Sequence, residues 1–328
     1  MPISSVSIVV PAYHCATTIG KAIQAILNQT FMGHIECIVV DDGSVDDTAK
    51  IIKSFSKVKY VYQHNAGPAS ARNKGAAMAL GEIIFFTDSD CVPHSDWVEK
   101  MASHFAEPKV AVVSGSYGIA NPNSLLAQCI HKEIIFRHQR LMPDYPKSFG
   151  SYNFCLRKKV FEEIGGFNTS YRYASGEDND LSYKILKRGY KIYFERSALV
   201  DHHHTEHLGK YLKEQWRHGY WRVKMYQDHP QMWTGDDYTF FKDILEVPLA
   251  CATFLWPVGT FLPLMSTMVF GSILMLIFLQ ILYGFIMMKS FLLGVFFSAV
   301  TFLRAYVRAL GFFTGLLLFS VPSPKKFK

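Results

Sequence analysis

The sequence is short of three things, and each absence narrows what the chain can be. No Cys-x-x-Cys pair occurs; the six cysteines, Cys15, Cys37, Cys91, Cys129, Cys155 and Cys251, are scattered through 328 residues. A disulfide framework or a structural zinc ribbon needs paired spacing, so these read as reduced thiols of a cytosolic chain. There is no Lys/Arg run either, although the formal charge is +7 and the pI near 8.9. Nucleic-acid binders concentrate their cations, whereas a dispersed basic excess suits anionic lipid headgroups or phosphorylated substrates. The N-terminus carries no charged segment followed by an apolar stretch of signal type. Ile8-Val9-Val10 is only strand-sized, so the N-terminal part is expected in the cytosol.

What is present is unevenly spread. Hydrophobic residues make up 49% and aromatics 15%, more than a typical soluble enzyme carries, and the excess is local. Val247 to Met288 contains no charged residue. That run is about twice the ~20 residues one transmembrane helix needs. Pro257, Gly259 and Pro263 interrupt it, which suggests a transmembrane hairpin over 246–288, its spans roughly 246–265 and 267–288, after a linker at 226–245. Residues 291–320 are apolar again, but Arg304 and Arg308 stand one turn apart, and arginine inside a bilayer is expensive. This segment is therefore expected to be an interfacial or bent helix, with 289–328 ending in a basic tail (Lys325, Lys326, Lys328) held in the cytosol by the positive-inside rule. The expectation is a multi-pass protein of the cell membrane with its N-terminal domain on the cytoplasmic side.

Up to residue 225 the pattern alternates. Strand-like runs at 6–10, 35–40, 60–62, 82–87, 110–113, 149–154 and 190–194 are separated by helical spacings at 17–29, 46–55, 67–80, 97–105, 124–141 and 181–188. Strands separated by helices of this length imply a mostly parallel α/β sheet with helices on both faces. Asp41-Asp42 and Asp88-Ser89-Asp90 each end a strand. Open α/β sheets bind ligands at the carboxyl ends of their strands, so both acidic pairs belong on one rim. An isolated Asp-x-Asp is often a polar turn, but two such ends on one rim make a pocket for a hard cation and a diphosphate. The small residues of Asn65-Ala66-Gly67-Pro68-Ala69-Ser70-Ala71 open a helix whose N-terminus favours an anion, and Arg72 can hold a phosphate or stack on a base. Glu177, Asp178 and Asp180 add carboxylates suited to acid–base work or to capping the helix that follows. Asp201-His202-His203-His204 is the richest metal-ligand stretch; a zinc site is the competing reading, but it lacks cysteine partners at structural spacing.

Six motifs come in a telling order: Pro11-Ala12-Tyr13, Asp41-Asp42-Gly43-Ser44, Asn65-Ala66-Gly67 with Ala71-Arg72-Asn73, Asp88-Ser89-Asp90, Gly165-Gly166-Phe167 and Gly176-Glu177-Asp178. In this the chain resembles family 2 glycosyltransferases of the GT-A fold over about residues 5–225. The resemblance implies a nucleotide-sugar-binding half at 1–117 and an acceptor half at 118–225. It implies that Pro11, Ala12, Tyr13, Asp41 and Asp42 line the base pocket with Arg72 nearby, and that Asp88 and Ser89 face the donor. Asp90 would hold a divalent metal, Mg or Mn, with His202 completing its shell. Gly166, Phe167 and Asp180 would lie on the acceptor side, and Asp178, with Glu177 beside it, would be the base. Gln215 and Arg217 are possible diphosphate contacts; the Gln-x-x-Arg-Trp pattern of processive polysaccharide synthases is not matched there, which favours transfer of a single sugar. The implied partners are a nucleotide-sugar donor, a lipid or glycan acceptor and a membrane. Two rivals are a nucleotidyltransferase, which would want a Gly-rich basic loop where Ala12-Tyr13-His14-Cys15 stands, and a non-catalytic membrane scaffold with a transferase-like domain.

Overall fold

The computed structural model describes residues 3–173, 175–232, 237, 239–259 and 262–319. The chain forms two units, one of Met1–Pro122 with His138–His204, the other of Asn123–Arg137 with Thr205–Lys328. The basic tail expected at Lys325, Lys326 and Lys328 lies outside the described residues.

The first unit starts by alternating strand and helix: β1 (Ser5–Ala12), α1 (Ile19–Leu27), β2 (His34–Asp41), α2 (Thr48–Lys53), β3 (Val58–Tyr62), α3 (Pro68–Met78) and β4 (Ile83–Thr87). All five residues of β4 are buried, as in strands covered on both faces. Then come β5 (Cys91–Pro93), α4 (Trp97–Ala102), β6 (Val110–Ile119), α5 (Leu125–Arg140), β7 (Asn153–Arg157), α6 (Lys158–Glu163), α7 (Glu177–Lys187) and β8 (Lys191–His202). The strands make one sheet in the order β3-β2-β1-β4-β7-β6-β8-β5. β1 to β4 are mutually parallel and β8 is parallel to β6, while β7 runs antiparallel between β4 and β6. The expected mostly parallel α/β sheet is thus observed.

Two local differences from the sequence reading matter for the site. The strand expected at 149–154 is β7 and begins at Asn153, opposite Thr87 of β4; Phe149 stays outside it and packs its ring 4.5 Å from that of Phe154. The helix expected at 181–188 is α7, which starts at Glu177 because Gly176, at φ 99°, supplies the left-handed turn that launches it. Glu177, Asp178 and Asp180 are all in its first turn. Beneath them lies an aromatic core in which Phe86, Phe154, Phe161 and Phe167 meet edge-on or stacked.

The second unit is helical: the first part of α5, then α8 (Leu208–Asp228), α9 (Phe241–Thr253), α10 (Trp256–Gly259), α11 (Pro263–Met288) and α12 (Phe291–Phe319). Among the described residues, α11 and α12 are the two helices long and apolar enough to cross a membrane. The apolar hairpin is therefore shifted from the expected 246–288. Residues 241–253 form a separate helix carrying Lys242, Asp243 and Glu246, and the break after it falls among Pro257, Gly259 and Pro263. Residues 291–319 form one continuous helix, in which Arg304 is buried, Arg308 is partly buried, and both have partners. Arg304 donates to Glu133 (2.7 Å) and to the Tyr211 hydroxyl (3.0 Å), and Arg308 to Glu246 (2.7 Å) and to Gln215 (2.6 and 2.9 Å). Asp243 and Tyr283 join through Arg137. A charge paired in this way escapes the desolvation penalty that an isolated one would carry.

α12 lies against α8 through glycines. A Cβ on Gly311 would strike the Trp216 carbonyl, one on Gly315 the Tyr220 carbonyl, and one on Gly219 the Arg308 carbonyl. Backbone on both sides cannot yield as a flexible side chain can. Gly311→Val should therefore lower the stability of the detergent-solubilised chain by about 1–3 kcal/mol, read as a lower thermal unfolding midpoint; an unchanged midpoint would mean the two helices are not in close contact.

Candidate active site

The carboxyl end of β4 delivers Asp88 and Asp90, and what they meet is set by the three-residue strand β5. β5 pairs antiparallel with the end of β8, Cys91 opposite His202, and the Asp90 carbonyl accepts the His203 amide at 2.9 Å. This short pairing carries too little pattern to be read from sequence, yet it closes the site. Asp90 Oδ2 lies 3.5 Å from His202 Nε2, and the ligand atoms of Asp90, Cys91 and His202 fall within 4.8 Å of one another. An acidic oxygen and an imidazole at that separation fit a divalent cation of the Mg or Mn kind. Burial and the carboxylates of Asp90 and Asp88 push the Cys91 thiol pKa well up, and Mg or Mn prefers oxygen ligands to a thiol. His202 is held in turn: its Nδ1 is 2.9 Å from Nδ1 of His204, and Asn121 clamps the His204 backbone by donating to its carbonyl (2.7 Å) and accepting from its amide (3.0 Å). Asn121 carries no signal in the sequence, and His204 only that of the histidine run in which β8 ends.

Arg72 organises the next layer. Its guanidinium donates to Asp88 at 2.8 Å and to Glu177 at 3.0 Å, stands over the Phe167 ring, and is 1% exposed. It therefore sits behind the Asp88 pair as a strut from α3 to α7. Glu177 also accepts the Ser175 amide at 2.7 Å. Burial and the adjacent Asp178 carboxylate push Glu177 up to about 7, against the pull of Arg72. Asp178 accepts its neighbour Asn179's amide at 2.9 Å and, more loosely, the Ser151 amide at 3.4 Å. Desolvation leads in raising its pKa, and these amides and Arg72 oppose it. A half-buried carboxylate with a raised pKa is what a general base near neutral pH requires.

Other residues take supporting places. Asp41 accepts from Ser44 (2.8 Å) and the Tyr60 hydroxyl (2.9 Å). Asp42 accepts from Gln63 (2.6 Å), from the amides of Ala66 (2.8 Å) and Gly67 (2.9 Å), and from Asn65 (3.3 Å). Its carboxylate thus shapes the loop before α3. Gly67, at φ 91°, lets that loop enter the helix. Pro11 and Ala12 end β1 beside Asp41, and Tyr13 is half exposed and stacked on His14 at 4.1 Å, an open aromatic face for a base. Ser89 lies between the two site carboxylates in the turn leaving β4. Phe167 is a core residue at 2% exposure, fixed by Asn73 through two 2.9 Å hydrogen bonds, and Gly166 turns the chain above it at φ 68°. Neither forms an exposed acceptor wall. Asp180 is buried and paired with Lys184 at 2.6 Å. Gln215 holds Arg308 in the second unit, where Arg217 also lies.

Known proteins resemble this chain in sequence and fold. The Glycosyl transferase family 2 profile matches residues 7–165, and that of the N-terminal domain of galactosyltransferase matches 131–208. Glycosyltransferase AglE of Haloferax volcanii is 28% identical over 229 residues, covering 67% of this chain and 74% of that one. The pre-mycofactocin glycosyltransferase of Mycobacterium tuberculosis is also 28% identical, over 217 residues, but only 44% of its length is covered. The mannosyltransferase PcManGT of Pyrobaculum calidifontis, solved with GDP-Man and Mn2+, superposes with a TM-score of 0.59 at 18% identity, over 93% of this chain and 86% of that one. A GT-A sheet and a carboxylate pair at the end of β4 thus coincide with the family match over residues 7–165, and the chain belongs to glycosyltransferase family 2, an enzyme that transfers sugars from nucleotide-sugar donors.

Proposed function

We propose that the chain is a membrane-associated, inverting glycosyltransferase that moves one sugar from a UDP- or GDP-sugar to an acceptor hydroxyl at the cytoplasmic face of the cell membrane. The acceptor is a lipid, a lipid-linked sugar or a surface-glycan precursor. The observation that carries this reading is the Arg72 strut, which ties the donor-side Asp88 to the Glu177–Asp178 pair. One buried cation fixes the spacing between the place where the leaving group departs and the place where a proton is taken. Asp178 removes the acceptor hydroxyl proton, Glu177 keeps α7 in register, and Tyr13 offers its face to the base. Asp90 and His202 hold Mg or Mn, which when bound neutralises charge on the departing nucleoside diphosphate. The ligands held by the Pyrobaculum enzyme, GDP-Man and Mn2+, support this choice of donor class and metal. The apolar α11 and α12 support a lipid-phase acceptor, since anchoring raises the effective concentration of a substrate in the same membrane.

The test is incubation of the purified chain with a panel of radiolabelled UDP- and GDP-sugars, Mn²⁺ and membrane lipid extract. Label passing into an extractable product supports the proposal; donor hydrolysis alone, or no reaction with any donor, counts against the lipid acceptor. Asp90→Asn should weaken Mn²⁺ binding by more than the ~10–100-fold typical of losing a mere outer-shell partner. Free Mn²⁺ can be followed by electron paramagnetic resonance, and an unaltered affinity would take Asp90 out of the metal site.

A further inference from the structure

Resting on the membrane association just proposed, we infer that the second unit enters one leaflet from one side and that neither α11 nor α12 crosses the bilayer. Length and composition alone allow both to cross. Their neighbours do not. α8 runs beside the C-terminal half of α12, from Tyr211 against Arg304 to Gln227, whose amide reaches the Phe319 carbonyl. Between these ends the Trp216 and Tyr220 carbonyls press on Gly311 and Gly315. Were that half of α12 in the hydrocarbon, α8 would be there too, and α8 carries Lys210, Lys213, Arg217, Arg222 and Lys224 with Glu214 and Asp228. Such a helix belongs at the headgroups. What remains of α12 before Arg304 is residues 291–303, about 20 Å of helix against ~30 Å of hydrocarbon.

The turn between α11 and α12 points the same way. A two-pass hairpin entered from the catalytic side has its turn on the far side of the bilayer. Here Met287, Met288 and Leu293, which flank the turn, pack with Leu126 and Cys129 of α5. α5 is flanked in the chain by β6 and β7 and carries Lys132, Glu133 and Arg137. It cannot follow the turn across a membrane. The face left open is nonetheless broad and apolar, with Phe241, Trp256, Leu264, Phe270, Phe278 and Leu317 all exposed. An exposed apolar face of this extent, in a unit whose α8 holds five cations against two acids, fits a leaflet rich in anionic lipid.

Ser290 and Lys289, both exposed in the turn, report which side it occupies. Ser290→Cys and Lys289→Cys would be expressed in full-length chain, each checked for the thermal shift given by UDP or GDP with Mn²⁺, and isolated in sealed inverted membrane vesicles. Lys57→Cys, exposed in the sheet unit, marks the cytoplasmic face, and the unsubstituted chain is the blank for the native thiols. The expected result is that a membrane-impermeant maleimide modifies the turn cysteines as fully as Lys57→Cys without detergent. Protection of both turn cysteines until detergent is added, with Lys57→Cys labelled throughout, would overturn one-sided insertion and restore the two-pass hairpin. A chain that fails to sediment with the vesicles would remove the membrane reading itself, an outcome separate from that one.

Discussion

Asp178→Asn is expected to lower kcat by about 10²–10⁴-fold, the usual contribution of a positioned general base, while leaving the affinity for UDP or GDP with Mn²⁺ nearly unchanged. Asparagine keeps the shape and can still accept the Asn179 amide through its single carbonyl oxygen, giving up only the long 3.4 Å contact from the Ser151 amide. What it loses is the ability to take a proton. The two readouts separate this role from a structural one, because a collapsed first turn of α7 would disturb Glu177, hence Arg72 and Asp88, and weaken nucleotide binding as well. The pH profile gives a second check. Burial raises the pKa of Asp178 above the ordinary 3.8. A base works only when deprotonated, so activity should fall as pH drops through that raised value, placing the acid limb of kcat above the range of an exposed aspartate. The limb should vanish from the residual activity of Asp178→Asn. An acid limb that persisted unchanged would assign it to another group and sink Asp178 as the base.

The sequence was informative where one element suffices and poor where two distant ones cooperate. Val6–Val10, Ile35–Val40 and Ile83–Thr87 announced central strands because each is an apolar run ended by a polar turn, and the parallel sheet followed from the helices between them. The acidic pairs were visible for the same local reason. What could not be seen was their direction. Asp41 and Asp42 look from sequence like Asp88 and Asp90, yet the first two are consumed by Ser44, Tyr60 and the 63–67 loop, a matter of which amides the fold happens to bring near. Phe167 stands in a recognisable motif but serves the core, and Asn73, one residue past Arg72, is what fixes it. The segment at 291–320 shows the same limit for charge. Arginine is costly against lipid, but the surroundings of Arg304 and Arg308 are Glu133, Tyr211, Glu246 and Gln215, between 62 and 171 positions upstream, contacts that no periodicity encodes. Long-range partners decide the cost of a buried charge, and single-chain patterning carries no record of them.

Arg72→Met should destabilise the chain by about 3–5 kcal/mol at neutral to alkaline pH, the usual consequence of removing one member of a buried ion pair. Methionine fills the volume over Phe167 but leaves Glu177, 1% exposed, with its charge facing Asp178 and no cation. The loss should itself depend on pH. Arg72 holds Glu177 down from the still higher pKa that burial and Asp178 would impose, so its removal raises the folded-state value above about 7, while the unfolded value stays near 4.5. An acid whose folded pKa lies above its unfolded one binds more protons when folded, so stability declines as pH rises through that interval. The interval is wider in the variant than in the native chain. The stability gap between them should therefore grow from pH 6 to pH 8 and shrink toward pH 5, as Glu177 takes up a proton and ceases to need a partner. Denaturant unfolding at those three pH values reads this directly, and Arg72→Lys, which retains charge without the two-pronged geometry, should fall between. A gap of constant size across the range would show that the Glu177 contact is incidental and that Arg72 acts through Asp88 alone.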